Sequence, residues 1–329
     1  MPIAPGFDPR WTDIPDYILG ITRAIWEDRG IDTLTRYYAE DLVVRSPASV
    51  LVGNGGIIAA TQATLAEFPD RELPGEDVIW CWADGDRTAF LSSHRLICQA
   101  THTGPGAYGA PTGRRLTYRI LADCYCAADQ VRDEWLVRDQ AAIVRQMGGD
   151  IVDWTRNLIA REGGPEACVR PFTPETDVPG PYAGRGDDNP WGMRLEDILT
   201  ALFNAAFSII PASYDPAAEL NYPGHQLGHG HFEADRFWMG LRAAFPSARA
   251  EVHHRIGRED EGMPPRAAVR WSLTGRHDGW GRFGAPTGAL VHVMGITQAE
   301  FGPRGLRREW TLIDETAIWK QILLHTGAV

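Results

Sequence analysis

Two histidines and two aspartates stand at matching points of a repeated pattern. His102–Gly113 reads HTGPGAYGAPTG and His277–Gly288 reads HDGWGRFGAPTG, with eight of twelve positions identical. Arg132–Gln146 and Arg307–Gln321 share seven of fifteen, among them Glu134/Glu309, Trp135/Trp310 and Asp139/Asp314. Side chains alternate across a strand. On that parity Leu96, Cys98, Ala100 and His102 share an apolar face, repeated by Val269, Trp271, Leu273, Gly275 and His277. Trp135, Val137 and Asp139 share another, repeated by Trp310, Leu312 and Asp314. A carboxylate among apolar neighbours is costly unless paired or neutralised. A His and an Asp on such faces form a pair suited to general acid–base chemistry. The expected catalytic residues are Asp314, His277, Asp139 and His102. A hydrogen bond that merely closes the sheet would be repeated just as faithfully, so both readings stand. Eight of the ten histidines follow residue 220, which directs the expectation toward the second copy.

Other motifs are weaker. His225, His229 and His231 in HQLGHGH have a spacing that could ligate a metal. Gly224, Gly228 and Gly230 argue against the helix that would align them. A loop at a pocket mouth, with no metal, is the expectation. GPGAYG (Gly104–Gly109) and GWGRFG (Gly279–Gly284) satisfy GxGxxG, but PTG and an alternating strand follow each where a dinucleotide fold needs a helix. The glycines suit a hairpin connection instead. No GK[ST] step and no GxSxG elbow exists, which sets aside P-loop and serine-hydrolase chemistry. Lys320 is the only lysine, so Schiff-base chemistry has one candidate, and it lies in an apolar C-terminal segment.

The elements that must hold these residues come in two sets, offset by 175 residues. The chain has 329 residues, and Arg161–Gly192 between the sets carries six Pro and six Gly. The expected organisation is a domain over 1–160, a linker over 161–192 and a second domain over 193–329. Thr12 or Asp13 caps a first helix with Pro15 in its first turn, and Ile14, Tyr17, Ile18, Ile21 and Ile25 form its apolar face. Further helices are expected near 32–38 and 57–68, and one in the second copy from Leu195 to Ile210. Strands follow at about 77–82, 88–101, 115–126 and 132–145, then at 250–257, 266–277, 289–300 and 306–320. Helices followed by a strand meander predict an α+β class, with helices on the concave side of a curved antiparallel sheet.

Composition narrows the partners. The net charge is −11 with no basic run, which disfavours nucleic acid. No apolar stretch reaches the length of a membrane span. The N-terminal sequence lacks the basic and apolar regions of a signal peptide. The five cysteines are an odd number, all before residue 170. A cytoplasmic location with reduced thiols is expected.

The pattern His-x-Gly-x4-Gly-x-Pro-x-Gly, followed by Glu-Trp-x3-Asp in the last strand, resembles the SnoaL-like polyketide cyclases. These belong to the nuclear transport factor 2-like superfamily, with the ketosteroid isomerases. The resemblance covers most of both copies. It implies two tandem conical α+β barrels around deep apolar pockets, and catalysis without metal or organic cofactor. It maps the family's acid/base Asp onto Asp139 and Asp314, and the His of its Gly-Thr-His motif onto His102 and His277. The copies read Ala100-Thr101-His102 and Gly275-Arg276-His277, so neither motif is complete. Tyr222 and Asn221 fall where the family places polar pocket residues on the first strand, with Arg45 and Ser46 nearby in copy one. The twelve tryptophans are compatible with an aromatic ligand. Trp271, Trp310, Trp135, Tyr118, His225 and His229 complete the expected substrate-binding set. The implied function is a cofactor-free lyase or isomerase on a small, hydrophobic, aromatic hydroxy or carbonyl compound, of the kind met in aromatic or lignin-dimer catabolism with release of formaldehyde. A polyketide cyclase working by intramolecular aldol closure and a non-catalytic binder are the alternatives. The two copies are expected to form a pseudo-dimer within one chain, with a homo-oligomer possible beyond it.

Overall fold

The computed structural model describes residues 2–329. Asp13 caps α1 (Ile14–Thr22), accepting from the Asp16 N–H at 2.7 Å, with Pro15 in the first turn. The helix then widens into a π turn, Arg23–Glu27. A 3-10 turn and α2 (Leu34–Tyr37) lead to β1 (Tyr38–Ser46), β2 (Ser49–Val52) and α3 (Asn54–Glu67). Then come β3 (Gly75–Trp82), β4 (Ala89–Thr101), β5 (Arg115–Ala127), β6 (Gln130–Arg138), α4 (Gln140–Gln146) and α5 (Ile151–Arg161). The second copy follows the same order: α6 (Pro190–Phe203), α7 (Ile209–Ser213), β7 (Tyr214–Tyr222), β8 (Gln226–His229) and α8 (Gly230–Ala244). It ends with β9 (Arg249–Arg258), β10 (Arg266–Arg276), β11 (Leu290–Gly302), β12 (Gly305–Ile313) and α9 (Glu315–Thr326).

Each copy builds one six-stranded sheet, ordered β2-β1-β6-β5-β4-β3 and β8-β7-β12-β11-β10-β9. The expected α+β class with helices over one face is present. Two features depart from expectation. The sheets are mixed, because β1 pairs parallel with β6 and β7 with β12. They are also open, with β2 and β3 as edges of the first and β8 and β9 of the second, so no barrel closes.

The strand expected over 132–145 stops at Arg138, and the one over 306–320 stops at Ile313. Asp139 and Asp314 follow immediately as helix N-caps. An Asp side chain accepts the orphan N–H groups of a first helical turn, and that local gain ends the strand. The helix expected from Leu195 to Ile210 also breaks, with Ala205 at φ +59° before the short α7.

Each sheet buries both faces. Under the helices lie separate cores, one built on Tyr17, Ile18, Phe90 and Cys126, the other on Leu199, Trp238, Trp271 and Phe283. The opposite faces pack on each other. Ile79, Leu91, Leu121 and Val137 from the first sheet meet Ile256, Met294, Ile296 and Leu312 from the second. This is the sheet-to-sheet contact expected of a pseudo-dimer within one chain. Arg270 pairs with Asp123 across the contact, while Arg45 pairs with Asp133 and Arg95 with Glu76 on the first domain's side. Among the described residues no helix is long and apolar enough to cross a membrane.

Candidate active site

The parity of β6 decides which residues enter the first domain's cup. Trp135 and Val137 point into the contact between sheets, and Asp139 leaves the strand on the same side. Glu134, Leu136 and Arg138 point the other way and line a cavity of about 180 Å³ under the helices. His94 and Leu96 on β4, Ile120 on β5, Tyr38, Val44 and Ser46 on β1, and Trp26 from the π turn form its walls. Thr61 and Thr64 from α3 and Arg71 beyond it complete them. Cavities of about 150 Å³ admit benzene. This one has the volume for a single ring with a small substituent.

Its polar groups are few and poorly compensated. Glu134 is buried, and desolvation raises its carboxyl to about 7, with the Cys124 thiol alone favouring the charged form. Burial likewise pushes His94 down to about 4, so its imidazole is neutral, and its Nδ1 has no partner. Arg71 is buried and donates from Nε to the Tyr118 hydroxyl at 3.3 Å and to Cys98 Sγ at 3.4 Å. Neither Arg71 nor Arg138 forms an ion pair among the described residues, and Arg138 Nε is buried without an acceptor. A titratable carboxyl poised near neutrality and two guanidinium groups without counter-ions therefore share one apolar hollow. Such a set can move a proton and hold a developing oxyanion.

The second domain has filled the same space. Glu309 matches Glu134, but it accepts from Tyr214 at 2.7 Å, Tyr222 at 3.3 Å and Thr311 at 2.6 Å. Phe203, Trp238 and Trp271 pack within 6 Å of one another, and Tyr222 stacks on Phe237 at 4.0 Å. The positions matching His94 and Thr61 are Val269 and Trp238. Trp271 spends its indole N–H on Thr297.

The expected His–Asp pairs do not meet. His102 is fully buried between Thr112, 3.0 Å from Nδ1, and Glu67, 3.2 Å from Nε2. Glu67 also accepts from the N–H groups of Ala107 and Tyr108, so the set pins the glycine-rich loop to the end of α3. His277 keeps the Thr287 partner at 3.0 Å, but its Nε2 is orphaned, because Ala244 stands where Glu67 does. Asp139 accepts from Ala142, Gly224 and His225 N–H groups, the last two belonging to the second domain. Asp314 accepts from Thr316 and Ala317.

The expected substrate-binding residues scatter. Tyr118 and Tyr222 do lie on inner faces, each committed to a neighbour. Trp135 and Trp310 belong to the contact between sheets, with Arg270 at 3.6 Å and Arg95 at 3.5 Å from their ring centroids. Asn221 accepts from Arg119 across that contact at 3.1 Å. The histidine-rich segment does not converge: the His225 side chain is exposed at a turn, His229 precedes α8, and His231 bonds the Tyr214 carbonyl. Glu134, His94, Arg71 and Arg138 were missed. Only Glu134 carried a signal, as a repeated Glu beside a repeated Trp.

Comparison with known proteins follows the same division. Residues 17–147 match the family model described as SnoaL-like polyketide cyclase. No curated protein matches the chain significantly. Solved structures align with about two fifths of it. IdmH from Streptomyces antibioticus is 22% identical over 41% of this chain and 97% of its own, with a TM-score of 0.36. A SnoaL-like polyketide cyclase from Agrobacterium tumefaciens is 20% identical over 41% and 97%, with a TM-score of 0.31. The family match thus falls on the first repeat, residues 17–147, and the second repeat shares its strand order.

Proposed function

We propose that the first domain is a cofactor-free acid–base catalyst acting on a small, single-ring carbonyl compound, and that the second domain is its scaffold. The observation that carries this is Glu134, a buried carboxyl near neutrality in a cavity that Arg71 and Arg138 also line. The match of residues 17–147 to the SnoaL-like polyketide cyclase model supports a cyclase or isomerase type of chemistry.

In this reading the Glu134 carboxylate takes a proton from a carbon next to the substrate carbonyl. The electron pair moves onto the carbonyl oxygen, where Arg71 or Arg138 stabilises the enolate. Returning the proton to another carbon gives an isomerase. Attack of the enolate carbon on a second carbonyl, with the proton passed from Glu134 to the new alkoxide, gives an aldol cyclisation. On a β-hydroxy carbonyl compound the carboxylate instead takes the hydroxyl proton, and the carbon–carbon bond breaks to release an aldehyde. The enolate left takes that proton on carbon, which gives a lyase. The 180 Å³ cavity favours the isomerase and lyase outcomes on small aromatic compounds over closure of a large polyketide.

The test is exchange of carbon-bound hydrogen in deuterium oxide, followed by NMR on a panel of aryl ketones and β-keto acids. The wild type exchanges at least one of them, and Glu134→Gln abolishes that exchange while the fold persists. Full exchange in Glu134→Gln, with loss in Asp139→Asn or Asp314→Asn, would restore the capping aspartates as the bases and overturn this assignment.

A further inference from the structure

Asp139 and Asp314 hold equivalent places in unequal surroundings. The turn after β7, Pro223–Gly224–His225, is one residue longer than the turn after β1, Pro47–Ala48. Gly224 and His225 take φ of +86° and +55°, which aims successive N–H groups into one concavity. That concavity holds Asp139: Gly224 N–H lies 2.8 Å from Oδ1 and His225 N–H 2.8 Å from Oδ2.

The shorter turn provides no such grip on Asp314. All three hydrogen bonds to Asp314 use Oδ1: the Thr316 N–H at 2.9 Å, the Thr316 hydroxyl at 2.7 Å and the Ala317 N–H at 3.3 Å. Among the described residues nothing donates to Oδ2, although the residue is only 6% exposed. It lines instead a cleft of about 410 Å³ between the domains, to which Ala48 and the mutually stacked Tyr108 and Trp154 also contribute. The buried Trp154 indole N–H has no acceptor either. Glu162 on this wall is paired with Lys320, and Glu67 is consumed by the loop it pins.

We infer that this cleft is a second ligand site, taking an aromatic molecule with an N–H donor for Oδ2, such as an amidine, guanidine or primary amide. The donor would sit on Asp314 Oδ2 as the His225 N–H sits on Asp139 Oδ2, and the ring would lie along Tyr108 and Trp154. Arg138 faces both cavities, so an occupant here borders the inner one. The inference stands independently of Glu134 as a base.

Benzamidine is the probe, titrated into the full-length protein by calorimetry and soaked into crystals. Binding should weaken at least about tenfold in Asp314→Asn, which retains a capping side chain. It should also weaken in Ala48→Trp, which fills the cleft and leaves Asp314 intact. Glu134→Gln should bind as the wild type does. Absence of binding to the wild type, unchanged affinity in a folded Asp314→Asn, or benzamidine found only in the inner cavity would each overturn the assignment. Benzoate binding on Asp314 as tightly as benzamidine would do so too, because a carboxylate cannot replace the N–H donors.

Discussion

Glu309 accepts a hydrogen bond from the Tyr214 hydroxyl at 2.7 Å, in a domain whose core packs Phe203, Trp238 and Trp271 together. Its repeat-mate Glu134 opens on a cavity. The divergence comes from neighbours: Ser46 stands for Tyr222 and Leu136 for Thr311, so two donors that serve Glu309 are missing around Glu134. Neutral replacement should therefore separate the two glutamates. Glu309→Gln loses charge-assisted hydrogen bonds worth about 1.5–3 kcal/mol each at most. It should lower the midpoint of thermal unfolding by several degrees and leave exchange activity intact. Glu134→Gln should abolish activity without lowering the midpoint. Calorimetry and the deuterium-exchange assay read the two effects side by side.

The raised carboxyl of Glu134 also fixes a direction for pH. Its value is about 7 in the folded protein against an ordinary 4.5, so between those values the folded state binds more protons than the unfolded chain. Unfolding free energy then falls as pH rises through this window, and the group's favourable contribution is gone above about 7. Asp139 and Asp314, each at about 6, add to the same slope over a lower range. Glu134→Gln should remove its share, matching the wild type near pH 4 and exceeding it at pH 8 by on the order of 3 kcal/mol. Activity should rise along a single limb centred near pH 7, where the base form appears. Denaturant unfolding across pH, beside a pH–rate profile, checks both; a wild type that gains stability from pH 5 to 8 relative to the variant would contradict this account.

The repeat, the α+β class and the two-domain plan were legible because they depend on pattern and periodicity. The cavity proposed as the site was not, for a physical reason. Parity assigns residues to two faces of a strand, and here both faces are buried, one by helices and one by the other sheet. The apolar face of β6 with Trp135 and Val137 therefore resembles the wall of a cup, but it is the contact between sheets. Glu134 and Arg138 lie on the other face, which parity alone does not mark as a cavity wall. The capping role of Asp139 had a local signal in Asp-Gln-Ala-Ala, since Asp before a short run of helix formers is an N-cap pattern. The filling of the second cup depends on Trp238 and Trp271 meeting across the core, which no single segment reveals.

The contact between sheets makes its own prediction. Arg270 lies over Trp135 and 3.4 Å from Asp123, and both charges are buried. Burial raises Asp123 and lowers Arg270, so each depends on the other. Arg270→Met leaves Asp123 without its counter-charge and should cost about 3–5 kcal/mol. Adding Asp123→Asn should recover most of that loss, because the uncompensated carboxylate is the main penalty. A double-mutant cycle by urea unfolding measures the coupling. Equal costs for the single and double variants would show that the cation–π contact, not the ion pair, dominates.

The strongest test of the division between domains is to exchange their fillings. Thr61 on α3 faces the first cavity, and its counterpart Trp238 is fully buried in the second core. Thr61→Trp should close the hollow, with new apolar contact offsetting the strain of fitting the ring. Proton-exchange activity should vanish while the unfolding midpoint changes little. The reverse change, Trp238→Thr, removes a large buried side chain and should cost about 3–5 kcal/mol, the range for Trp truncation in a core. It should leave activity in place, because the reacting groups of the first cup are untouched. If Thr61→Trp instead kept full activity and Trp238→Thr abolished it in a folded protein, catalysis would belong to the second domain, and Glu309 would have to be its base.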